Sequence, residues 1–191
     1  MGNKKKIHYK RIELVETLCV RMHRIKDGHE LQLLCGPKIG GPCEGYLMAT
    51  GGKIEITDGT AAFPSLRALQ AGYREQIEES GISADRGRIV AIVNTRIKAK
   101  KEWARVHIVF CDQFSGRIKH DPKEFKWLKF LKVTDELLSG FPPGETEWMR
   151  RVLIHKDSRF NVSIPCGKNR SDVTGKVRIR RWKKRDVESF Q

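Results

Sequence analysis

The sequence predicts an α+β domain with mixed sheets. Three observations carry that prediction. Alternating, β-branched segments recur along most of the chain and read as strands. The helical stretches fall between groups of strands, not after every strand, which argues against regular β-α-β alternation. The length of 191 residues, 39% of them hydrophobic and 32% charged, suits one domain with a proper core and is short of two.

The elements follow in order. Residues 12–25 are partly alternating and β-branched and predict a strand. Lys26-Asp27-Gly28 makes a turn into a return strand, Leu31–Cys35. A loop rich in Gly and Pro spans 36–45, and Tyr46–Thr50 reads as a short extended segment. Ser65 can cap a helix running to about Ser80, with Gly81 just past its end. Ile89–Ile97 and Trp103–Cys111, joined by Lys98–Glu102, predict an antiparallel pair. Trp127–Val133 reads as another strand. Thr134 can cap a short helix over Asp135–Ser139, and Thr146 can cap one to about His155 after the turn Phe141-Pro142-Pro143-Gly144. Phe160–Ile164 closes the domain as a strand.

Charge is unevenly spread. The chain carries a net +15. Residues 1–11 hold +5 and residues 167–191 hold +6, so the stretch 12–166 is only about +4. This divides the chain into a basic arm (1–11), a domain (12–166) and a basic tail (167–191). Within the tail, residues 176–185 contain seven basic residues interspersed with Val177, Ile179 and Trp182. Such a segment suits nucleic acid or another anionic surface, and equally a solvated end or a final strand on the fold. The five cysteines form no Cys-x-x-Cys pair, which points to reduced thiols and to neither a disulfide framework nor a zinc site. No apolar run approaches a membrane span, and the N-terminus lacks the apolar segment of a secretory signal. A cytoplasmic location is the expectation. His107 on its alternating strand reads as a core or surface residue, and His120 has no partner at metal-ligand spacing.

The helix over 65–80 carries the chemistry. On a helical wheel Leu66, Leu69, Tyr73 and Ile77 share one face, the expected core face. Glu75, Glu78 and Glu79 fall together on the opposite face. Carboxylates at i, i+3 and i+4 repel one another, and those near the helix C-terminus oppose its dipole. A hard divalent cation such as Mg²⁺, or Mn²⁺ as substitute, reverses the sign of that energy.

The string Arg74-Glu75-Gln76-Ile77-Glu78-Glu79-Ser80-Gly81-Ile82 matches Arg-Glu-x-x-Glu-Glu-x-Gly followed by an aliphatic residue. Upstream stands Gly51-Gly52-Lys53-Ile54-Glu55, and then Asp58. These residues resemble the Nudix box, and the chain is similar to the Nudix hydrolases. It departs from the pattern in three places. Gln76 replaces an aliphatic residue, Asp58 replaces a Glu, and the loop around 59–66 looks eight residues longer. The resemblance implies mixed sheets sandwiched between helices (α/β/α) and Mg²⁺-dependent hydrolysis of a diphosphate linkage. Glu75, Glu78 and Glu79 would hold metal, and Arg74 would orient them. Gly51 and Gly52 would let the backbone approach the site closely.

Beyond the box, Val106–Cys111, Gly116, Glu124 and Trp148 look like the MutT-type purine nucleoside triphosphate diphosphatases, which act on oxidised purine triphosphates such as 8-oxo-dGTP and so cleanse the nucleotide pool. That likeness implies a nucleotide substrate, with Glu124 as a late-loop metal ligand or base and Asp121 as its rival. It implies Lys38 and Lys53 on phosphate, and Glu145 and Trp148 on the base. Met48, Pro142 and Gly144 stand where those relatives carry base-recognising residues. Action on RNA 5′ ends or caps, and a non-catalytic nucleotide- or RNA-binding module, are the alternative functions.

Overall fold

The computed structural model describes residues 9–60, 62–157 and 159–183. Of the basic arm, residues 1–8 lie outside the described residues, as do 184–191 of the tail.

The first strand, β1 (Lys10–Ile25), organises the molecule. Its alternation sends Leu14, Glu16, Leu18 and Val20 to one face and Val15, Thr17 and Cys19 to the other. Its C-terminal half pairs antiparallel with β2 (Gly28–Pro37), with Val20 opposite Leu33. Its N-terminal half, Lys10 to Cys19, runs parallel to β5 (Glu102–Gly116). Between them come β3 (Leu47–Met48) on the edge of β2, a short 3-10 turn over Ile56–Asp58, helix α1 (Pro64–Ser80) and β4 (Ile82–Ile97). After β5 come β6 (Lys129–Lys132), α2 (Asp135–Ser139), α3 (Thr146–Leu153), β7 (Phe160–Cys166) and β8 (Arg178–Arg181). The strands form one mixed sheet in the order β3-β2-β1-β5-β4-β7-β8, with β6 on β2.

α1 packs on one face of the sheet against Val15 and Val109. α2 and α3 cover the other face, where Leu138, Trp148, Met149, Val152 and Leu153 join Leu18, Val20, Val93, Ile108 and Val162 in the main core. The mixed sheet therefore lies between helices, as the sequence predicts.

Several details differ from expectation. α1 begins at Pro64, which suits a first helical position where no backbone N–H is needed. Ser65 therefore lies inside the helix and does not cap it. The helix ends at Gly81 with a left-handed φ of 70°. Its inward face is Ala68, Ala71, Gly72, Gln76 and Glu79, whereas Leu66 and Ile77 are half exposed. The small residues explain this. A Cβ on Gly72 would sit 2.9 Å from Thr17 Oγ1 and 3.2 Å from Val15 Cγ2, so only a bare backbone fits there. The Thr17 hydroxyl donates to the Gly72 carbonyl at 3.2 Å. Close approach of helix to sheet outweighs burial of two large side chains.

β4 starts at Ile82, directly after the helix, and not at Ile89. Bulges between Ala84 and Ala91 break the alternation that would have revealed its first half. Thr134 caps α2 by accepting from Leu137 N at 3.1 Å. Glu145, not Thr146, is the residue that precedes α3, and Thr146 Oγ1 instead donates to the Leu138 carbonyl at 3.1 Å. The described part of the basic tail supplies β8, antiparallel to β7. All five cysteines are buried and free. No described helix is long and apolar enough to cross a membrane.

Candidate active site

The site forms where α1 meets the N-terminal half of β1. Residues 50–54 lie along the edge of β1 opposite to β5. Val15 N donates to Gly52 O at 2.9 Å, and Thr17 N donates to Thr50 O at 2.8 Å. A Cβ on Gly51 would collide with the Val15 carbonyl, and one on Gly52 would collide with the Glu75 carboxylate. The two glycines thus bring bare backbone against the strand on one side and the helix glutamates on the other. Gln76, the departure from the box, is fully buried. It accepts from the Thr50 hydroxyl and donates to Ser80 Oγ at 2.9 Å, so it fastens the glycine loop to the helix.

Arg74 gathers the acidic residues. Its Nε donates to Asp58 Oδ1 at 2.8 Å, and Nη2 donates to Asp58 Oδ2 at 3.1 Å. Nη1 donates to Glu75 Oε1 at 2.9 Å and Glu78 Oε2 at 3.0 Å, and Nη2 also reaches the Lys53 carbonyl at 2.9 Å. Asp58 is buried and accepts from Glu55 N at 2.7 Å. The Arg74 hydrogen bonds hold its pKa below the usual carboxylate range. Asp58 is thus the anchor of Arg74, and its shorter side chain still completes the bidentate pair. The Lys53 side chain is exposed, and only its carbonyl enters this network.

Glu79 faces inward beside Lys38. Gly51 N donates to Glu79 Oε2 at 2.7 Å, and Lys38 Nζ donates to Glu79 Oε1 at 2.8 Å. The same ammonium lies 2.6 Å from Glu124 Oε2, so Lys38 bridges the helix and the later loop. Burial alone would lower the Lys38 pKa, but Glu79 and Glu124 raise it on balance. Asp121 is spent locally: its Oδ1 accepts from Lys123 N at 2.8 Å and closes a turn. The geometry therefore brings Glu124, and not Asp121, into the cluster. Burial pushes the pKa values of Glu75 and Glu79 up in spite of Arg74 and Lys38.

Glu75 and Glu79 therefore stand against the two bare glycines, Glu78 is joined to Glu75 by Arg74, and Glu124 is joined to Glu79 by Lys38. Hard oxygen donors of this kind suit Mg²⁺ or Mn²⁺. Among the described residues no three acidic, His or Cys side chains converge closely enough to hold a metal ion as they stand. Lys38 and Arg74 serve as their counter-ions.

A cavity of about 340 Å³ opens beside this cluster. It is lined by Lys38, Glu124, Gly51 and Gly52 at one end, with Met48, Cys43, Glu16 and Arg170 also on its wall. The sequence-based reading of Glu145 and Trp148 as base-binding residues is not what the structure displays. Trp148 is fully buried in the main core, and its indole N–H donates to Glu145 Oε2. Glu145 is 3% exposed, and its other oxygen accepts from Arg170 Nη2 at 3.4 Å. Both lie behind Arg170, which faces the cavity in their place. An amphipathic helix start with an acid and an indole three residues apart is also what a core anchor looks like, and here packing takes it.

Glu16 and Arg170 escaped the sequence reading. The signal for Glu16 is its parity, an acid in the inward series Leu14, Glu16, Leu18, Val20. The signal for Arg170 was hidden among the many basic residues of the tail. His107 is a buried strand residue whose Nε2 lies 3.1 Å from Glu13 Oε2.

Neither a family model nor a curated protein matches the chain. Solved structures do. The chain is similar to a mutator MutT protein from Bacillus halodurans, at 20% identity and a TM-score of 0.65, over 88% of this chain and 97% of that one. It is similar to a Nudix hydrolase from Alicyclobacillus acidocaldarius, at 11% identity and a TM-score of 0.60, over 76% and 92% of the two chains. A third is the Nudix domain of Shewanella oneidensis NrtR in complex with ADP ribose, at 13% identity and a TM-score of 0.59, over 79% and 92%. The likeness is one of fold, and the fold is that of the Nudix hydrolases.

Proposed function

We propose that this chain, with its Nudix fold, is a Mg²⁺-dependent pyrophosphohydrolase that cleaves a diphosphate linkage in a nucleoside triphosphate, releasing nucleoside monophosphate and pyrophosphate. The observation that carries this reading is the gathering of carboxylates beside the glycine loop: Glu75 against Gly52, Glu79 on Gly51 N, and Glu78 joined to Glu75 by Arg74, next to a cavity lined by Gly51, Gly52, Lys38 and Glu124. Phosphoryl transfer asks mainly for charge neutralisation and in-line positioning, and carboxylates beside a cationic side chain serve both. Bound at these carboxylates, Mg²⁺ would neutralise phosphate charge and activate a water. Glu75, Glu78, Glu79 and Glu124 would hold it. Arg74, fixed by Asp58, keeps Glu75 and Glu78 in place, and the Lys38 ammonium would meet a phosphate oxygen. A purine, oxidised or not, is the base class we favour, from the similarity to MutT-type diphosphatases.

The test is a panel of nucleoside triphosphates and other nucleoside diphosphate derivatives with Mg²⁺, the products separated by chromatography. Monophosphate and pyrophosphate that disappear with chelator and return with Mg²⁺ or Mn²⁺ support the reading. Metal-independent turnover, or none on any compound, removes it.

A second reading, action on RNA 5′ ends, is favoured by one feature. Arg11 and Arg96 flank the half-exposed Trp103 in the strand register, and a cavity of about 720 Å³ there also holds Tyr9, Lys176 and Arg178. Basic side chains beside exposed aromatic rings suit a single strand. RNA hydrolysis would fall steeply with salt, while free nucleotide hydrolysis would change little.

A further inference from the structure

Two side chains on the cavity wall beyond the carboxylate cluster each have one buried polar atom without a hydrogen bond. Glu16 is 4% exposed, and its Oε2 has no hydrogen-bond partner. Arg170 Nε–H has none either. The two side chains approach but do not join: Arg170 Nη2 lies 4.0 Å from Glu16 Oε2. A buried polar atom without a partner is rare, because it forfeits its hydration with no return. Both atoms belong to side chains that line one cavity, where a ligand can supply the missing partners.

The surroundings hold Arg170 firmly. Glu145 accepts from its Nη2, and the Cys166 thiol donates to its carbonyl at 3.4 Å. Its loop is closed on itself: Gly167 N donates to Asp172 O at 2.8 Å, and Lys168 N donates to Asp172 Oδ2 at 2.8 Å. Ser171 Oγ reaches across to the Pro42 carbonyl at 3.3 Å and ties this loop to the one that carries Cys43. Glu16 is fixed by the parity of β1. Both carboxylate oxygens of Glu145 are already engaged, by Trp148 and by Arg170. Glu16 Oε2 and the Arg170 Nε–H therefore keep hydrogen-bonding capacity, one as an acceptor and the other as a donor.

We infer that Glu16 and Arg170 read the edge of a nucleobase, with a ring N–H or amine of the base donating to Glu16 Oε2 and a neighbouring carbonyl oxygen or ring nitrogen accepting from the Arg170 Nε–H. This rests on the reading of the cavity as a nucleotide site. Neither residue belongs to the Nudix box, and Arg170 comes from the basic segment after the last core strand. The shared chemistry is an adjacent donor and acceptor on a planar ring. A guanine-type edge (N1–H beside O6) and an adenine-type edge (N6–H beside N1) both present it, with the two roles exchanged. A sugar phosphate presents no such planar edge. Unpaired groups in a dry pocket discriminate strongly, because a ligand that fails to satisfy them leaves them unpaired.

The experiment measures equilibrium binding by calorimetry in the presence of chelator, so that neither metal nor turnover contributes. Guanosine, inosine, adenosine and cytidine monophosphates are compared with ribose 5-phosphate. We expect one base class to bind at least about tenfold tighter than ribose 5-phosphate. Glu16→Gln and Arg170→Met should each bring that nucleotide to the level of ribose 5-phosphate, with the affinity for ribose 5-phosphate itself unchanged. Arg170→Lys keeps the cation and loses the Nε–H, and it should give the same loss, so the proposal stays testable if Arg170→Met does not fold. Whether guanosine and inosine or adenosine is preferred tells the two edges apart. Nucleotides that bind no better than ribose 5-phosphate, or folded variants that keep the parent's preference, overturn the inference. A parent that shows the base preference but hydrolyses nothing would remove the proposed hydrolysis and leave the base-reading pair standing.

Discussion

Arg74 touches Asp58, Glu75 and Glu78 at once, and this makes the effects of single substitutions separable. Glu78 is the most exposed of the helix carboxylates held by Arg74. Glu78→Gln should therefore leave the fold intact while lowering kcat at least about 100-fold, if it holds metal in the proposed hydrolysis. A near-normal rate would remove it from the metal set. Glu124→Gln should abolish turnover more completely than Asp121→Asn, because only Glu124 shares the Lys38 ammonium. The reverse ranking would transfer the role to Asp121. Glu16 makes a prediction about stability. Its burial, added to by Glu145 and Glu79 and opposed by Arg170 and Lys38, pushes its pKa up to about 8. An acid that holds its proton more tightly when folded loses stability as pH rises from its ordinary value of 4.5 towards about 8, and loses no more above that. Glu16→Gln does not titrate, so its Tm relative to the parent should climb across this window and then level off. A difference that is flat with pH would mean that folding does not raise the Glu16 pKa.

Among the elements, α1 was legible in its limits and its carboxylates but not in its buried face. The box residues Arg74, Glu75, Glu78 and Glu79 are local signals, and Gly81 ends the helix for a local reason. Which side of the helix meets the sheet depends on Thr17, Val15 and Val109, residues remote in sequence, and their closeness selects Gly72 and the alanines over Leu66 and Ile77. The first half of β4 was hidden by its bulges, and β8 by its charge, since Ile179 stands among three arginines and a lysine over 176–181. α3 misled in another way. Its Trp148 and Glu145 do act together, but on Arg170 and the core. Trp148→Phe keeps a six-membered aromatic ring but loses the pyrrole ring and with it the donor to Glu145. The loss of a buried hydrogen bond to a carboxyl group costs about 1–3 kcal/mol, to be read as a lowered Tm by calorimetry. A raised KM at unchanged Tm would instead place the indole in contact with substrate.

At the scale of the whole molecule, the metal requirement should depend on pH with a definite sign. Burial raises the pKa values of Glu75 and Glu79, so protons compete for these carboxylates at higher pH than for solvated ones. The Mg²⁺ concentration that half-saturates activity should therefore increase as pH falls, beginning above the ordinary carboxylate value of 4.5, with the maximal rate recoverable at high Mg²⁺. A half-saturation point that does not move would exclude these two groups as ligands. One further consequence follows from β1. This strand is hydrogen-bonded to β5 through Lys10–Cys19, to β2 through Val20–Ile25 and to the glycine loop at Val15 and Thr17. Its two faces join the layer under α1 to the layer under α3. No part of the cleft can come apart while the remainder keeps its order, because a single strand is seam to all of it. Melting should be one cooperative event, with the signal from buried Trp148 and the capacity to bind nucleotide vanishing along the same curve.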